Sequence, residues 1–297
     1  MIRPTFSIAF RRAALLSTAW LVLGFLIIPV VVVLPVSLTD QRYLGLPKAG
    51  LSLQHYEKFF SDPVWLSSTA QSFLIAIAAT AIAVLFGALC AIGCWRLTGR
   101  LSAWIRLLML APLIVPTIVQ AVGMYRLWAW LGLYDTYLGV IIAHAIVGLP
   151  YVVVPVSAAL ASVDAKLEQA ARSLGASMLQ TVRLVIFPNI LPGLLSGALF
   201  AFASSFDELV IVLFLTSRSI STLPKRIWEG IQEDIDPTIA AAAMLLILLT
   251  LGLMLLSLLV TKWSARHREK QSGAVVGSFA KARSPLAVVA KQGRQPL

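Results

Sequence analysis

Apolar residues run along this chain in long unbroken blocks rather than alternating with polar ones at the period of a half-buried strand or a surface helix. A helix needs roughly twenty apolar residues to cross the hydrocarbon core of a bilayer. Blocks of that size lie near Leu15 to Leu38, Thr69 to Trp95, Trp104 to Leu131, Leu138 to Ala161, Leu191 to Leu215 and Ile239 to Thr261. The pattern predicts an all-α, polytopic membrane protein of six transmembrane helices, with both termini on one side. The third block carries Pro112, Pro116 and Arg126. Prolines packed among membrane helices are tolerated, so this block too is read as one span.

Composition agrees with the pattern. Of 297 residues, 59% are hydrophobic and only 12% charged, too few polar groups to clothe a soluble domain. The longest polar stretches, from about Thr39 to Leu66 and after Lys262, are too short for a separate catalytic domain. Cys90 and Cys94 stand four residues apart inside an apolar block. They fall on one helical face and pack as small apolar residues rather than joining two elements.

Charge then orients the spans. Arg3, Arg11 and Arg12 precede the first block, Arg96, Arg100 and Arg106 surround the loop after the second, and Lys262, Arg266, Arg268 and Lys270 follow the last. All fall on one side if the helices alternate, which makes that side cytoplasmic. The opposite loops are mixed or acidic. The net charge of +11 is therefore chiefly topological, and a nucleic-acid partner is not expected, because the basic residues lack interleaved aromatics. The expected organisation is a cytoplasmic segment over 1–14, a membrane domain over 15–262, a patterned loop over 163–188 within it, and a disordered cytoplasmic tail over 263–297.

That loop lies between the fourth and fifth blocks. Leu167, Ala170, Ala171 and Leu174 follow helical spacing, giving a short amphipathic helix with a small-residue face. Glu168 and Arg172 are set to pair across one turn. Asp164 is placed to cap the start, and Gly175 to end the helix in the left-handed conformation. A second short helix is expected from Met178 to Ile186, stopped by Pro188. A small-residue face suits docking into another protein's groove; lying on the bilayer surface is the other reading, although the aromatic anchors of such helices are missing.

Here the sequence resembles the "EAA" signature of importer permeases. Ala170, Ala171, Gly175 and Pro188 occupy matching positions, while Gln169 stands for the signature Glu, Val185 for the Ile and Phe187 for the Leu. Glu168 is one position too early to replace the missing acid. The resemblance implies the type I (MetI-like) fold of ATP-binding-cassette importers, with Leu167, Glu168, Gln169, Ala170, Ala171, Arg172, Leu174, Gly175, Ala176 and Pro188 in a coupling loop that sits in a cleft of a cytoplasmic ATPase. It further implies a bacterial inner-membrane protein working with a second permease subunit, identical or homologous, two ATPases and a periplasmic solute-binding protein. ATP would then be used by the partner and no cofactor bound here, in keeping with the absence of a G-x-x-x-x-G-K-[ST] phosphate loop.

A second resemblance spans about Leu51 to Val260. Ser205-Phe206-Asp207-Glu208, Thr222-Leu223-Pro224, Ile227-Trp228, Leu51 to Phe60 with Tyr56, and His144 to Pro150 are similar to the polyamine-type permeases, whose relatives also carry opines and aminoethylphosphonate. The resemblance implies a small cationic cargo. Independently, a carboxylate within an apolar span costs several kcal/mol unless it meets a cavity or a partner. Asp207 and Glu208 are therefore candidates for the substrate path, the alternatives being an ion pair with Arg126 or a wetted helix end. Gln120, Tyr125 and Trp128 are further candidates, their rings suited to ammonium groups, with interior packing as the plainer role. His144 reads as a hydrogen-bonded interior histidine. A gradient-driven secondary transporter would be expected to show duplicated halves, and an embedded enzyme a catalytic constellation; neither is visible in the sequence.

Overall fold

A computed structural model describes residues 4–97, 99–233, 236–260 and 262; the expected tail over 263–297 lies outside them. Its helices are α1 (Pro4–Ser37), α2 (Gln54–Ser61), α3 (Pro63–Arg96), α4 (Arg100–Ile114), α5 (Thr117–Leu131), α6 (Tyr137–Ala161), α7 (Ala165–Ser173), α8 (Met178–Thr181), α9 (Phe187–Phe206), α10 (Val210–Leu215), α11 (Leu223–Glu233) and α12 (Thr238–Val260). A π-helical turn, Val182–Ile186, joins α8 to α9, so Met178–Phe206 is one continuous helical run.

Among the described residues, five helical stretches are long and apolar enough to cross a membrane: Phe10–Ser37 within α1, α3, α6, Met178–Phe206 and α12. The third predicted span is not a continuous helix. It breaks into α4 and α5, of 15 residues each. At helical rise each reaches only about 22 Å, short of the roughly 30 Å core. The cause is local. Pro116 has no N–H to give, and Val115 before it is extended (φ −79°, ψ 127°), the conformation a following proline favours. Counted as one broken span, the pair brings the total to six.

Tertiary contacts divide the chain into two units. The first holds the described residues of Met1–Ala78, Thr117–His144 and Ser205–Leu251. Its buried cluster joins Ile75 of α3, Val140 of α6, Val212 of α10 and Ile220. The rings of Phe73 and Phe206 meet edge to face at 4.8 Å. His144 is buried and shares a 2.8 Å hydrogen bond with Ser205, as expected of an interior histidine.

The second unit holds the described residues of Ala79–Pro116, Ala145–Ser204 and Gly252–Leu297. Its core is made by Ala83 and Ala91 of α3, Val152, Val156 and Leu160 of α6, and Ile186, Ile190 and Ala201 from the run ending in α9. Alanine at these positions lets helix backbones approach closely, which is how membrane helices gain packing where burial from water offers little.

Candidate functional site

The loop between α6 and α9 forms much as its sequence pattern requires. Asp164 caps α7, its carboxylate accepting the Lys166 N–H at 2.9 Å. The helix ends at Ser173, and Gly175 takes φ +86°. A side chain there would be strained even though the space around it is open. The Gly175 N–H donates to the Arg172 carbonyl and the Ala176 N–H to the Ala171 carbonyl, both at 3.0 Å, closing the turn. Ser177 and Gln180 then form a reciprocal capping box at the start of α8.

The surface this presents is mixed, with apolar and polar side chains exposed side by side. Leu174 is 89% exposed and Leu167 47%, with Gln169, Ala170, Arg172 and Gly175 exposed beside them; Ala171 and Ala176 are half-buried. Leu167 and Leu174 are thus carried outward on a capped helix and stand outside this chain's core.

Two expectations for the loop are corrected. Glu168 does not pair with Arg172. Its carboxylate accepts from the Arg96 guanidinium at 2.9 Å, because it lies on the side of α7 that faces the end of α3. Pro188 does not stop the second helix either. The π turn before it shifts the bonding register, the Phe187 N–H reaching the Val182 carbonyl, so the proline's missing N–H is absorbed and the helix runs on to Phe206.

The acidic pair also lies differently from expectation. Asp207 and Glu208 are not inside a continuous span; they occupy the break between α9 and α10. Glu208 accepts the Ile211 N–H at 3.1 Å and so satisfies a free donor at the start of α10. Asp207 is exposed and Glu208 half-buried. Among the described residues neither forms an ion pair, so the alternative pairing with Arg126 is not made. Packing of α10 against α5 brings this break to the helix that carries Gln120, Tyr125 and Trp128.

Those three residues have different roles. Tyr125 is 45% exposed and meets Tyr134 edge to face at 5.4 Å, and Gln120 is half-buried. Trp128 packs in the interior of its unit. It is 5% exposed and donates its indole N–H to the Gly139 carbonyl at 2.7 Å. A Cβ on Gly139 would stand 2.2 Å from the Leu133 carbonyl oxygen and 2.8 Å from the Trp128 ring, so the glycine is what admits the tryptophan.

Residues 83–270 match the family described as the binding-protein-dependent transport system inner membrane component. The chain belongs to that family. It is therefore a permease subunit of an ABC importer, a multi-pass inner-membrane protein that is not itself an enzyme, and its family membership implies ATPase and solute-binding-protein partners. It is 31% identical to the spermidine/putrescine transport system permease protein PotC of Haemophilus influenzae over 82% of this chain and 94% of that one. It is 30% identical to the putrescine transport system permease protein PotI of Escherichia coli over 67% of this chain and 73% of the other. Its fold matches that of a bacterial alginate ABC transporter, solved with an alginate pentasaccharide-bound periplasmic protein, at a TM-score of 0.64 and 15% identity, covering 87% of this chain and 94% of that one.

This permease also contains polar anchors that the sequence pattern did not single out. Asp135 adopts φ 55° between α5 and α6, and its carboxylate accepts from the Ser217 N–H at 2.8 Å and the Ser219 hydroxyl at 2.7 Å. Burial pushes its pKa up, but those hydrogen bonds outweigh it and leave the pKa below the ordinary aspartate value. Lys225, 5% exposed, donates to the Thr216 hydroxyl and to the Ser217 and Ile220 carbonyls at 2.7–3.0 Å. Asp135 acts on a loop distant in sequence; Lys225, which also pairs with Glu229 one turn on at 3.9 Å, acts on a loop irregular in form.

Proposed function

We propose that this permease forms half of the translocation path of an ATP-driven importer for a small cationic amine of the spermidine and putrescine class. The observation that carries the reading is the outward-facing apolar side of α7, capped at Asp164 and hinged at Gly175, with Leu174 almost fully exposed. That face sits in a cleft of a cytoplasmic ATPase. Two ATPases, closing on ATP, draw together the coupling helices of this chain and of a second permease subunit, and the membrane helices rock between inward-open and outward-open states. ATP is bound and hydrolysed by the partner. The basic residues flanking the spans support an orientation with both termini in the cytoplasm, and the opposite face receives the loaded periplasmic binding protein.

The cargo assignment is supported by the relatives that transport polyamines and by the unpaired carboxylates at the α9–α10 break. Two acids within reach of an aqueous path attract ammonium groups, and Tyr125 adds an aromatic face close to the same helix pair. The assembled importer in proteoliposomes tests this. Spermidine- or putrescine-loaded binding protein is expected to stimulate hydrolysis and uptake together; hydrolysis that responds to no polyamine-loaded binding protein contradicts the cargo assignment.

A further inference from the structure

Glu168 stands apart from its neighbours on α7. Leu167, Gln169, Ala170 and Arg172 are exposed, whereas the Glu168 side chain turns back into its own chain and is only 18% exposed. Its partner is Arg96, the last residue of the 34-residue helix α3, whose side chain is 19% exposed. The same guanidinium uses its two terminal nitrogens on different segments: Nη2 donates to the Glu168 carboxylate at 2.9 Å and Nη1 to the Met178 sulfur at 2.8 Å. One planar cation thus ties the end of α3, the middle of α7 and the first residue of α8.

Beyond this ion pair, α7 packs against α8 and the π turn. Towards α6 it is joined through the short turn at Ser162 and Val163, and towards α8 through Gly175, whose positive φ places a glycine where the chain changes direction. These contacts hold α7 to the segment that follows it, and the ion pair is what holds it to α3; without that pair α7 could turn about Gly175 relative to α3 when pushed from its exposed face. The displacement would then be lost locally instead of moving the membrane helices. An arginine is suited to prevent this, because its rigid fork holds two directions at once. Partial burial also protects the pair from the screening that makes exposed ion pairs weak.

We propose that Arg96 and Glu168 form a strut that transmits movement of the coupling helix to α3, while Met178 passes it to the helical run ending at Phe206. They are positioning residues: neither touches cargo or nucleotide. The inference rests on the reading that α7 docks an ATPase, and it gives a purpose to an acid one position away from the signature carboxylate that Gln169 replaces. The strut makes transport stoichiometric. Without it the ATPase still binds the exposed face and still turns over, but its stroke is not delivered to the second and fifth spans.

The test uses the complete importer in proteoliposomes, measuring ATPase co-purification, ATP hydrolysis and solute uptake for the wild type, Arg96→Gln, Glu168→Gln and the exchange Arg96→Glu/Glu168→Arg. Each single variant is expected to retain the ATPase and to raise ATP hydrolysed per solute imported at least about fivefold, the lower end of ordinary coupling between sites. The exchange variant restores the ion pair between α3 and α7 but not the contact to Met178, and is expected to lower the ratio below that of either single variant, which loss of fold would not allow. A Glu168→Gln importer that binds the ATPase and keeps the wild-type ratio overturns the strut while leaving the docking reading intact. Loss of ATPase binding in Glu168→Gln also overturns it, by placing Glu168 on the docking face. A wild-type chain that recruits no ATPase contradicts the docking reading itself, and the strut falls with it.

Discussion

The carboxylate of Glu208 accepts the backbone N–H of Ile211 at 3.1 Å, so the acid that interrupts the fifth apolar block also starts the helix that follows it. The two duties are separable. Glu208→Gln keeps an acceptor oxygen in place and removes the charge; it is expected to leave thermal stability close to wild type while lowering uptake of a cationic solute about tenfold, equivalent to about 1.4 kcal/mol. Glu208→Ala removes the cap as well and is expected to cost about 1 kcal/mol of stability in addition. Uptake assays beside thermal unfolding in detergent distinguish the two.

Gly139 lies against the ring of Trp128 and accepts its indole N–H. Gly139→Ala places a methyl group 2.2 Å from the Leu133 carbonyl oxygen and 2.8 Å from the indole, so either the turn or the buried ring must move. The expected cost is about 1–3 kcal/mol, as for other overpacked interiors. It is read as a lower unfolding temperature and a blue-shifted or broadened tryptophan emission that departs from wild type.

Asp135 makes a pH prediction whose sign follows from its lowered pKa. The carboxylate stays charged to a lower pH in the folded chain than in the unfolded one, so its contribution is fully present above the ordinary value of 3.8 and is lost as pH falls from there through the folded value. Unfolding followed from pH 6 to pH 3 is expected to show a loss of stability below about pH 4 that is smaller in Asp135→Asn. An equal acid slope in both proteins would remove the latch from Asp135 to Ser217 and Ser219.

The sequence made the membrane class and the α7 helix legible for different reasons. Spans are announced by continuous apolar length, a signal that survives whatever the helices pack against. The α7 helix is announced locally, by Asp164, the spacing from Leu167 to Leu174, and Gly175, all within about three turns. What the sequence did not show depends on partners distant in the chain. Arg96 looks topological until the fold brings Glu168 to it, and Trp128 looks available to substrate until Gly139 takes its N–H. The errors at Pro116 and Pro188 have one origin: a proline breaks a helix or is absorbed according to whether the preceding turn can change register, and composition does not reveal which.

Gly175→Ala isolates the hinge. No atom lies within 4 Å of the added Cβ, so the cost arises from the left-handed backbone alone, about 1–2 kcal/mol. The chain is expected to fold and reach the membrane, with the angle between α7 and α8 disturbed and uptake per ATP reduced. Unchanged stoichiometry would show that the hinge geometry is not needed.

Leu174→Glu changes an almost fully exposed position, 89% in this chain, and is expected to alter the stability of the permease by less than about 0.5 kcal/mol. Its effect belongs to the complex. An ATPase that co-purifies with the wild type is expected to be lost from this variant, while retention at the wild-type level would move the docking face elsewhere.

This chain is expected to move a cationic amine only when a bound ATPase drives it. The most direct measurement is uptake of labelled spermidine into proteoliposomes holding the permease pair with and without its ATPase, in the presence of loaded binding protein. Uptake that requires both ATPase and ATP, and that vanishes in Leu174→Glu, is the predicted result. Uptake by the permease alone down an imposed ion gradient, indifferent to ATP and to Leu174, would contradict it.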